Sequence, residues 1–340
     1  MVGIDEAIAI GDIDELLRWV DRLCDSNEWE ELTQLAKRCQ RAFEHTGHQL
    51  WPVSNHASYR LALQAPGRWA AQVLEDGGGR FAFGPLTEVA ASSHTWAEFA
   101  GELQPGPATA LFAHERVVRG EDLTHDDLAF ELDAMNIIDL PLKLVSWEPQ
   151  YCVATYYSDR IEDSPPPSIA EADIVLPAPG LQISDEDCAT AFKALVEAWV
   201  VGSNGSTNFV AVEGSAESAI AALASDSSLS DSSPSENVMG AEVSPGEALR
   251  HLAWVGSTGG AHGRRRGAAL GRFGAWWVLR ALGGFSQDDP LDHKELGEAA
   301  SELRWILWLP TVSQHGWNIH LAVEDPAEGL AWAFSATDHA

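Results

Sequence analysis

The sequence predicts an α+β protein in which an all-helical, repeat-like (α-solenoid-like) region precedes a mixed region of helices and strands. Apolar residues recur at helical spacing through the first region, and runs of β-branched and aromatic residues begin near Asn136. The chain of 340 residues is longer than one typical domain, which has about 150 residues. We therefore expect a helical domain over 1–135 and an α+β domain over 136–340.

Helices and short breaks alternate in the first region. Apolar residues recur every three or four positions from Ile13 to Leu23, and the pattern returns from Leu32 to Phe43 after a Ser26-Asn27 break. Further short helices, separated by Pro and Gly, are expected at His56–Leu63, Arg68–Leu74, Leu86–Ala91, Trp96–Leu103 and Ala108–Val118. Many short helices are typical of stacked helix pairs such as HEAT repeats, although the sequence has no fixed period.

The second region begins with strand-like runs, expected at Ile137–Leu140, Leu144–Trp147, Tyr151–Tyr157 and Ile174–Leu176. A helix is expected over Glu186–Val201. Two segments that share Ala-Val-Glu-x-x-Ala-Glu, beginning at Asn208 and Asn318, each predict a strand, a tight turn and a short helix. The resemblance of these two segments indicates paired units of one sheet or arises by chance.

A tract rich in Ser and Asp predicts a disordered loop over 225–243, because it cannot bury enough apolar area to offset its ordering entropy. Ser244-Pro245-Gly246-Glu247 then has the pattern of a helix start with a capping box. A long helix through Trp276, a helix over Glu295–Leu307 and a final strand near Leu330–Phe334 complete the prediction. Trp305 and Trp308 are expected in the core on that last helix.

Charge is distributed unevenly along the chain. The sequence has 21 Lys and Arg against 51 Asp and Glu, a formal net charge of -30. This charge disfavours non-specific binding of the whole surface to a nucleic-acid backbone, and we do not expect nucleic acid as a partner. Residues 161–249 hold fifteen acidic residues and one base, whereas residues 248–287 hold six arginines and no acid. Mimicry of nucleic acid by the acidic segment is a further alternative, although negative charge more often serves solubility.

The segment from Gly259 to Gly267 combines glycines with three arginines directly before a predicted helix. Main-chain N–H groups at a helix start and guanidinium groups both bind anions, so this loop is a candidate site for a phosphate or carboxylate. The predicted ligand-binding residues are Gly259, Gly260, His262, Gly263, Arg264, Arg265 and Arg266. His262 is also a candidate acid or base. Alternatively, the arginines pair with acids of 161–249, or the glycines allow close helix packing.

A second group of titratable residues lies at the end of the helix Ala108–Val118. His114 and Glu115 are candidate catalytic residues there, although the zinc motif His-Glu-x-x-His is absent. A salt-bridged helix end is the alternative interpretation. His56 and Arg60, one helical turn apart, are expected on a solvated helix face or in a groove.

No segment has the pattern of a secretory signal or a membrane span. The N-terminus is acidic, and the longest apolar run, Phe273–Leu282, is far shorter than the roughly 20 residues of a span. The cysteines Cys24, Cys39, Cys152 and Cys188 lack metal-ligand spacing and are expected to be reduced core thiols, with a Cys24–Cys39 disulfide as the alternative. We therefore predict a cytoplasmic protein with no membrane contact, no metal and no cofactor.

Five segments carry a resemblance to a known family: Trp51-Pro52, Tyr59–Pro66, Gly84–Ser92, Glu115–Leu123 and Gly259–Gly267. Together they resemble an actinobacterial family of hypothetical proteins that is described as a domain of unknown function. The resemblance covers most of the chain and implies a bacterial, non-secreted protein. It implies no catalytic residue, substrate or cofactor.

Two functions of different classes fit these observations. The first is a cytosolic interaction or adaptor protein that binds a protein partner through its helical region, and it predicts an exposed patch containing tryptophan on the N-terminal helices. The second is an enzyme or sensor that binds an anionic small molecule at the Gly259–Gly267 loop, and it predicts that this loop lines a pocket. The motifs favour neither an enzyme nor a protein without activity.

Overall fold

The computed structural model contains helices and antiparallel sheets, which confirms the predicted α+β class. It describes residues 2–74, 82–169, 171–226, 237–286, 292–310 and 316–339. The chain divides into two compact units. The first, Met1–Leu144 with Val153–Ser164, is called the helical unit, and the second, Val145–Cys152 with Pro165–Ala340, is called the sheet unit.

The helical unit is built from helices of very different lengths. They are α1 (Ile4–Ile10), α2 (Ile13–Asp25), α3 (Trp29–Thr46), α4 (Trp51–Gln64), α5 (Gly67–Ala70), α6 (Leu86–Ser93), α7 (Trp96–Phe99), α8 (Pro107–Val118) and α9 (Asp127–Ala134). Polar residues fix several helix starts: Asp12, for example, caps α2 by accepting a hydrogen bond from the Glu15 N–H. The apolar stripes of α2, α3 and α4 meet in one buried cluster that includes Leu16, Leu32 and Leu61.

Strands are rare in the part of the helical unit that the structure describes. Only β1 (Thr155–Tyr156) and β2 (Ile161–Glu162) pair there, as a short antiparallel ribbon. The strands predicted at 137–140 and 144–147 are therefore wrong. Ile138 and Leu140 are buried, but no neighbouring strand supplies the ladder that a β-conformation needs.

The sheet unit alternates strands and helices. The strands are β3 (Ala172–Val175), β4 (Leu181–Ile183), β5 (Ser206–Glu213), β6 (Asn237–Val243), β7 (Arg304–Leu309), β8 (Trp317–Asp325) and β9 (Leu330–Asp338). The helices are α10 (Glu186–Leu195), α11 (Glu197–Val201), α12 (Ala216–Asp226), α13 (Pro245–Ser257), α14 (Ala268–Leu282) and α15 (His293–Glu302). Helix α13 begins with the predicted capping box between Ser244 and Glu247.

The seven strands form one antiparallel sheet in the order β3-β6-β7-β8-β9-β5-β4. Helix α12 covers one face, where Ile220 packs with Ile306 and Ala333. On the other face the ring of Phe192 in α10 stacks on Phe334 at a centroid distance of 4.5 Å. Since successive side chains of a strand point to opposite faces, the central strands are buried on both sides.

Of two predictions in this unit, one is wrong in its secondary structure and one in its bounds. The helix predicted over Glu295–Leu307 ends at Glu302, and the next residues form β7, so Trp305 and Trp308 lie on opposite faces of a strand. A strand that is buried on both faces reads as a continuous apolar run, which periodicity does not distinguish from a buried helix. The disordered loop predicted over 225–243 extends too far, because its last residues, Asn237–Val243, form β6, which is paired on both sides, whereas 227–236 lie outside the described residues.

The two similar segments lie in the same sheet, on either side of β9, as β5 and β8. Only the first is followed by a helix, α12. After β8 the chain makes a tight turn and continues directly into β9, so the short helix predicted near Ala327 is wrong.

Candidate functional site

The sheet opens between β7 and β8. These strands pair over four residues as far as Leu307 and Leu321, and among the described residues no further pair joins them. Strand β7 nevertheless stays paired with β6 up to Leu309, and β8 is paired with β9 from Trp317 onward. Beyond Leu307 and Leu321 each strand is thus paired with its outer neighbour and not with the other strand, as far as the structure describes them. We call this opening the fork.

Local sequence explains where the fork begins. Pro310 directly follows β7 and has no main-chain N–H, so it cannot donate a hydrogen bond to a continued ladder. Gly316, before β8, has a φ of 114°, a conformation that other residues rarely adopt. A Cβ there would lie 2.7 Å from the main-chain oxygen of Asp338. Both residues therefore limit how far the β7–β8 ladder extends.

A cavity of about 270 Å³ lies at the fork, and we call it the fork cavity. Helix α13, strands β7 and β8 and the segment before β3 all contribute to its wall. The lining residues are Pro165, Pro166, Pro167, Ser168, Ile169, Glu171, His251, Trp254, Leu307, Trp308, Leu309, Gly316, Asn318, Ile319 and His320. None of these described lining residues is Lys or Arg, so the wall carries no permanent positive charge.

Two histidines of the wall are neutral at pH 7. Burial, with a smaller contribution from the charge of Arg250, lowers the pKa of His251 to about 4. Burial alone lowers the pKa of His320 to about 4, and only 3% of this residue is exposed. A neutral imidazole has one hydrogen-bond donor and one acceptor. The histidines therefore add polarity to the cavity without adding charge.

Two tryptophans of the wall have unsatisfied indole groups. The Nε1 atoms of Trp254 and Trp308 are buried and have no hydrogen-bond partner in the described part of the chain. A buried donor without a partner costs about 1–3 kcal/mol, and an indole N–H can only donate. The ring of Trp254 stacks on Trp317 at 5.1 Å, and that of Trp308 lies 4.8 Å from His320. An acceptor brought by a ligand or water would relieve this cost.

The loop from Gly259 to Gly267, predicted to bind an anion, does bind a carboxylate of the chain itself. The N–H of Ala261 donates to Oδ2 of Asp338 at 2.6 Å, and the hydroxyl of Ser203 donates to Oδ1 at 3.0 Å. Asp338 is fully buried. Gly260 has a φ of 68°, and a Cβ there would lie 2.1 Å from Oδ2 of Asp338, so the residue at this position is required to be glycine.

The other predicted residues of the loop surround this contact. His262 is exposed and donates its N–H to Ser203 Oγ at 3.1 Å. A Cβ at either Gly259 or Gly263 would clash with the main chain of the other residue, so the two glycines allow the chain to approach itself closely here. The loop lines neither the fork cavity nor a second cavity, which lies beside Trp51 in the helical unit. Binding of an external anion there stays a prediction.

The arginines of the loop differ in their surroundings. Arg264 is exposed, whereas Arg265 and Arg266 are half-buried. Arg266 donates to the main-chain oxygen of Ala194 at 2.9 Å, and burial lowers the pKa of its guanidinium. Arg266 therefore attaches the loop to α10.

His114 and Glu115, the candidate catalytic residues of the helical unit, are both buried. Arg119 binds Oε2 of Glu115 at 2.6 Å and also donates to the main-chain oxygen of Ala154 at 3.4 Å. The ion pair lies at the end of α8, as the salt-bridge alternative predicted, and the hydrogen bond to Ala154 joins this helix end to the returning chain segment. Neither residue lines the fork cavity or the cavity beside Trp51, and their catalytic role stays a prediction.

A second polar group in the sheet unit is completely closed, and we call it the Glu148 cluster. Arg272 binds both carboxylate oxygens of Glu148, at 2.7 and 2.8 Å, and neither side chain is exposed. The hydroxyl of Tyr151 and the indole of Trp276 donate to the same carboxylate at 2.7 and 2.8 Å. Burial and the nearby charge of Glu148 raise the pKa of Tyr151 far above its usual value. The cluster attaches the segment Val145–Cys152 to α14.

Sequence reasoning missed the residues of the fork cavity, above all His251, Trp308, Asn318 and His320. One signal was present: Pro310 and Gly316 enclose a short connection between two runs that are rich in residues typical of strands. His320 also stands inside an apolar run, where a polar side chain needs an explanation. These residues line one cavity only because α13 packs beside the fork, which no local pattern indicates.

Two properties of the described residues bear on cofactors and location. In the described ranges no group of three or more His, Cys, Asp and Glu has an arrangement that could hold a metal ion. No helix in the described parts of the chain is long and apolar enough to cross a membrane.

All four cysteines are free thiols, three of them buried and Cys152 half-buried.

Comparison with known proteins gives a family but no activity. No curated protein and no solved structure matches the chain. A family model described as a family of unknown function, DUF6183, matches residues 14–340. The predicted resemblance to a domain of unknown function is thereby confirmed, whereas its actinobacterial origin stays a prediction. The chain belongs to this family of unknown function, DUF6183.

Proposed function

We propose that the protein binds a small uncharged molecule in the fork cavity. The observation that carries the proposal is a cavity beyond the last β7–β8 pair, lined by two tryptophans whose indole N–H groups are buried without an acceptor. Protein interiors are close-packed and their buried polar groups are satisfied, so a cavity beside unsatisfied donors calls for an explanation. A ligand that supplies acceptors fills the space and satisfies the donors.

The size of the cavity fits this function. An engineered cavity of about 150 Å³ holds one benzene molecule. The fork cavity, at about 270 Å³, therefore has room for a molecule of one or two rings. Its wall combines apolar residues such as Leu307 and Ile319 with a few polar groups, which is the usual composition of a small-molecule site.

The experiment is a ligand-detected NMR screen of a fragment library against the wild-type protein and a variant with an obstructed cavity. Leu309 lies at the cavity and is 39% exposed, so Leu309→Trp narrows the entrance. Leu181→Trp, on the exposed edge strand β4, adds the same side chain away from the cavity and serves as the control. We expect fragments that bind the wild type and L181W but not L309W. The proposal fails if no fragment distinguishes L309W from L181W.

A second proposal is the interaction or adaptor function of the helical unit. Trp51 is 44% exposed and Phe83 is 47% exposed, and both line a groove of about 170 Å³ with Pro52, His56 and Tyr59. An exposed patch that contains tryptophan is the feature by which the adaptor hypothesis was to be recognised, because indoles are favoured anchors of interfaces. The net charge of -30 favours a basic partner. The proposed partner is therefore a protein segment with an apolar anchor and flanking Lys or Arg.

Selection of peptides from a random library tests this second proposal. Peptides that require the groove should be lost with Trp51→Ser and retained with Phe43→Ser, since Phe43 is a more exposed aromatic residue of α3 outside the groove. We expect the selected peptides to be basic and their binding to weaken as salt increases. Equal selection by W51S and the wild type would contradict the proposal.

A third proposal retains the anionic small molecule at the Gly259–Gly267 loop. It is supported by the carboxylate of Asp338, since the loop already holds an anionic group through a main-chain N–H. Arg264 and Arg265 are the residues to replace, because replacing Arg266 would also remove the contact between the loop and α10. The thermal shift produced by inorganic phosphate or succinate should be lost in an Arg264→Ala, Arg265→Ala variant. Absence of any shift in the wild type would reject this proposal.

The proposed site of action is the cytoplasm. The four free thiols support it, because cysteines of proteins in oxidising compartments are commonly paired in disulfides. Fractionation of cells that express the natural protein tests this part directly.

A further inference from the structure

We infer that the ligand of the fork cavity is a flat, uncharged heterocycle with ring carbonyl groups, the chemical class to which nucleobases belong. This inference rests on the proposed binding function and specifies the ligand class. Three features of the cavity support it: the charge of its wall, the hydrogen-bonding groups of the lining residues, and the shape of the opening.

Charge disfavours an anionic ligand. The described lining residues include no Lys or Arg, and the histidines are neutral at pH 7 because burial holds their pKa at about 4. The nearest arginine to His251 in sequence, Arg250, donates to the main-chain oxygen of Gln150 at 3.0 Å. Glu171 is the one carboxylate among the described lining residues, and it is exposed. A phosphate or carboxylate would therefore meet no compensating charge.

The hydrogen-bonding groups demand acceptors. Trp254 and Trp308 each contribute an indole N–H that no described residue accepts, and an indole has no acceptor of its own. Ring carbonyl oxygens and ring nitrogens are suitable acceptors. The side-chain amide of Asn318 is held by its hydrogen bond to the Gly316 oxygen at 3.2 Å. A held amide presents a donor and an acceptor side by side, the arrangement by which Asn binds adenine.

The shape of the fork favours a flat molecule. In an antiparallel pair, alternate residues direct both N–H and C=O toward the neighbouring strand. Beyond Leu307 and Leu321 these groups of β7 and β8 have no ladder partner in each other among the described residues. The edge of a cyclic amide, with N–H and C=O adjacent, matches such a strand edge. The aromatic rings of Trp254, Trp308 and His320 lie in the same wall and offer surfaces on which a ring can stack.

A saccharide is the competing class, because it is also neutral and also packs on tryptophan. Its hydroxyl groups donate as many hydrogen bonds as they accept, whereas the unsatisfied indole groups of the wall only donate. The observations therefore favour the heterocycle, and the experiment includes both classes.

The test measures quenching of tryptophan fluorescence by uracil, guanosine, pyrimidine, methyl glucoside and inorganic phosphate. Pyrimidine has the ring of uracil without its carbonyl groups. Trp308→Phe removes the indole N–H and retains an aromatic ring. Trp332→Phe is the matched control, because its indole donates to Asp185 at 2.7 Å and it does not line the cavity. We expect uracil or guanosine to bind at least about tenfold more tightly than pyrimidine, and W308F, unlike W332F, to lose about tenfold in affinity.

Three results would overturn the inference. If methyl glucoside binds in a manner that depends on Trp308 and the heterocycles do not bind, the ligand class is wrong while the proposed binding function stands. If the heterocycles bind equally well to wild type and W308F, their site is not the fork cavity. If no compound of the panel binds, the class is rejected, and the fragment screen with L309W decides separately whether the cavity binds any molecule.

Discussion

The Glu148 cluster and the fork cavity are two polar regions of the same unit with opposite degrees of satisfaction. In the cluster a single carboxylate receives hydrogen bonds from Arg272, Tyr151 and Trp276, and both charged side chains are fully buried. At the fork, the indole groups of Trp254 and Trp308 are buried without an acceptor beside an open volume. Both regions contain a tryptophan indole N–H. In the Glu148 cluster this donor has an acceptor, the Glu148 carboxylate, whereas at the fork it has none among the described residues.

The difference separates a structural role from a binding role. Strong polar contacts by themselves do not indicate a ligand site, because the contacts of the Glu148 cluster attach one chain segment to a helix. Unsatisfied polar groups beside a cavity are the more informative signal, since their cost is recovered only when something else binds. The predictions below test this contrast, in order of decreasing effect.

The largest effect is expected from opening the closed region. Glu148→Gln removes the carboxylate charge that the buried guanidinium of Arg272 binds, and loss of one partner of a buried ion pair costs about 3–5 kcal/mol. Urea unfolding measures the free energy of unfolding. Glu298→Gln, at the exposed pair with Lys294, is the control and should leave it almost unchanged. A loss below about 1 kcal/mol in E148Q would show that the charge is dispensable.

The next effect concerns pH at the fork. The pKa of His320 is about 4 in the folded protein, below its ordinary value of 6.5. Between these values the unfolded chain binds more protons than the folded one, so the free energy of unfolding falls as pH decreases from about 6.5 to 4, by about 3 kcal/mol for this residue. Urea unfolding of wild type and His320→Gln at several pH values isolates this contribution. Parallel pH profiles of the two proteins would contradict it.

A smaller effect is expected where the chain supplies its own anion. Asp338→Ala leaves the N–H of Ala261 without its acceptor, which costs about 1–3 kcal/mol. Asp338→Asn retains an oxygen of similar position and should lose less. Amide hydrogen exchange at Ala261 provides the local readout, and its protection should fall in D338A. If the exchange rate stays the same, the carboxylate does not hold the loop.

The smallest effect compares two tryptophans of one strand. The indole of Trp305 donates to the Ala300 oxygen at 3.0 Å, whereas that of Trp308 has no described partner. The substitution Trp305→Phe removes a buried hydrogen bond, but Trp308→Phe removes an unsatisfied donor. We expect W305F to be less stable than W308F by about 1–2 kcal/mol in thermal or urea unfolding without ligand. Equal stabilities would mean that Trp308 is satisfied in solution.

Local patterns predicted much of the fold. The capping box at Ser244 and the apolar stripe of α2 depend on neighbours within one or two helical turns, and both helices are present. The failures lie where tertiary pairing decides. β7 was mistaken for a helix because its apolar residues are buried on both faces, and β6 was missed because its strand partners come from distant parts of the chain. The fork cavity could not be predicted, since it depends on how far two strands stay paired.

The four residue pairs between β7 and β8 also have a consequence for the dynamics of the sheet. Among the described residues they are the only strand pairs between a three-stranded part, β3-β6-β7, and a four-stranded part, β8-β9-β5-β4, whereas β9 forms nine pairs with β8. Local unfolding proceeds along the boundaries with the fewest interactions. The two parts are therefore expected to exchange their amide hydrogens as separate cooperative units, and a molecule bound between β7 and β8 would join them into one.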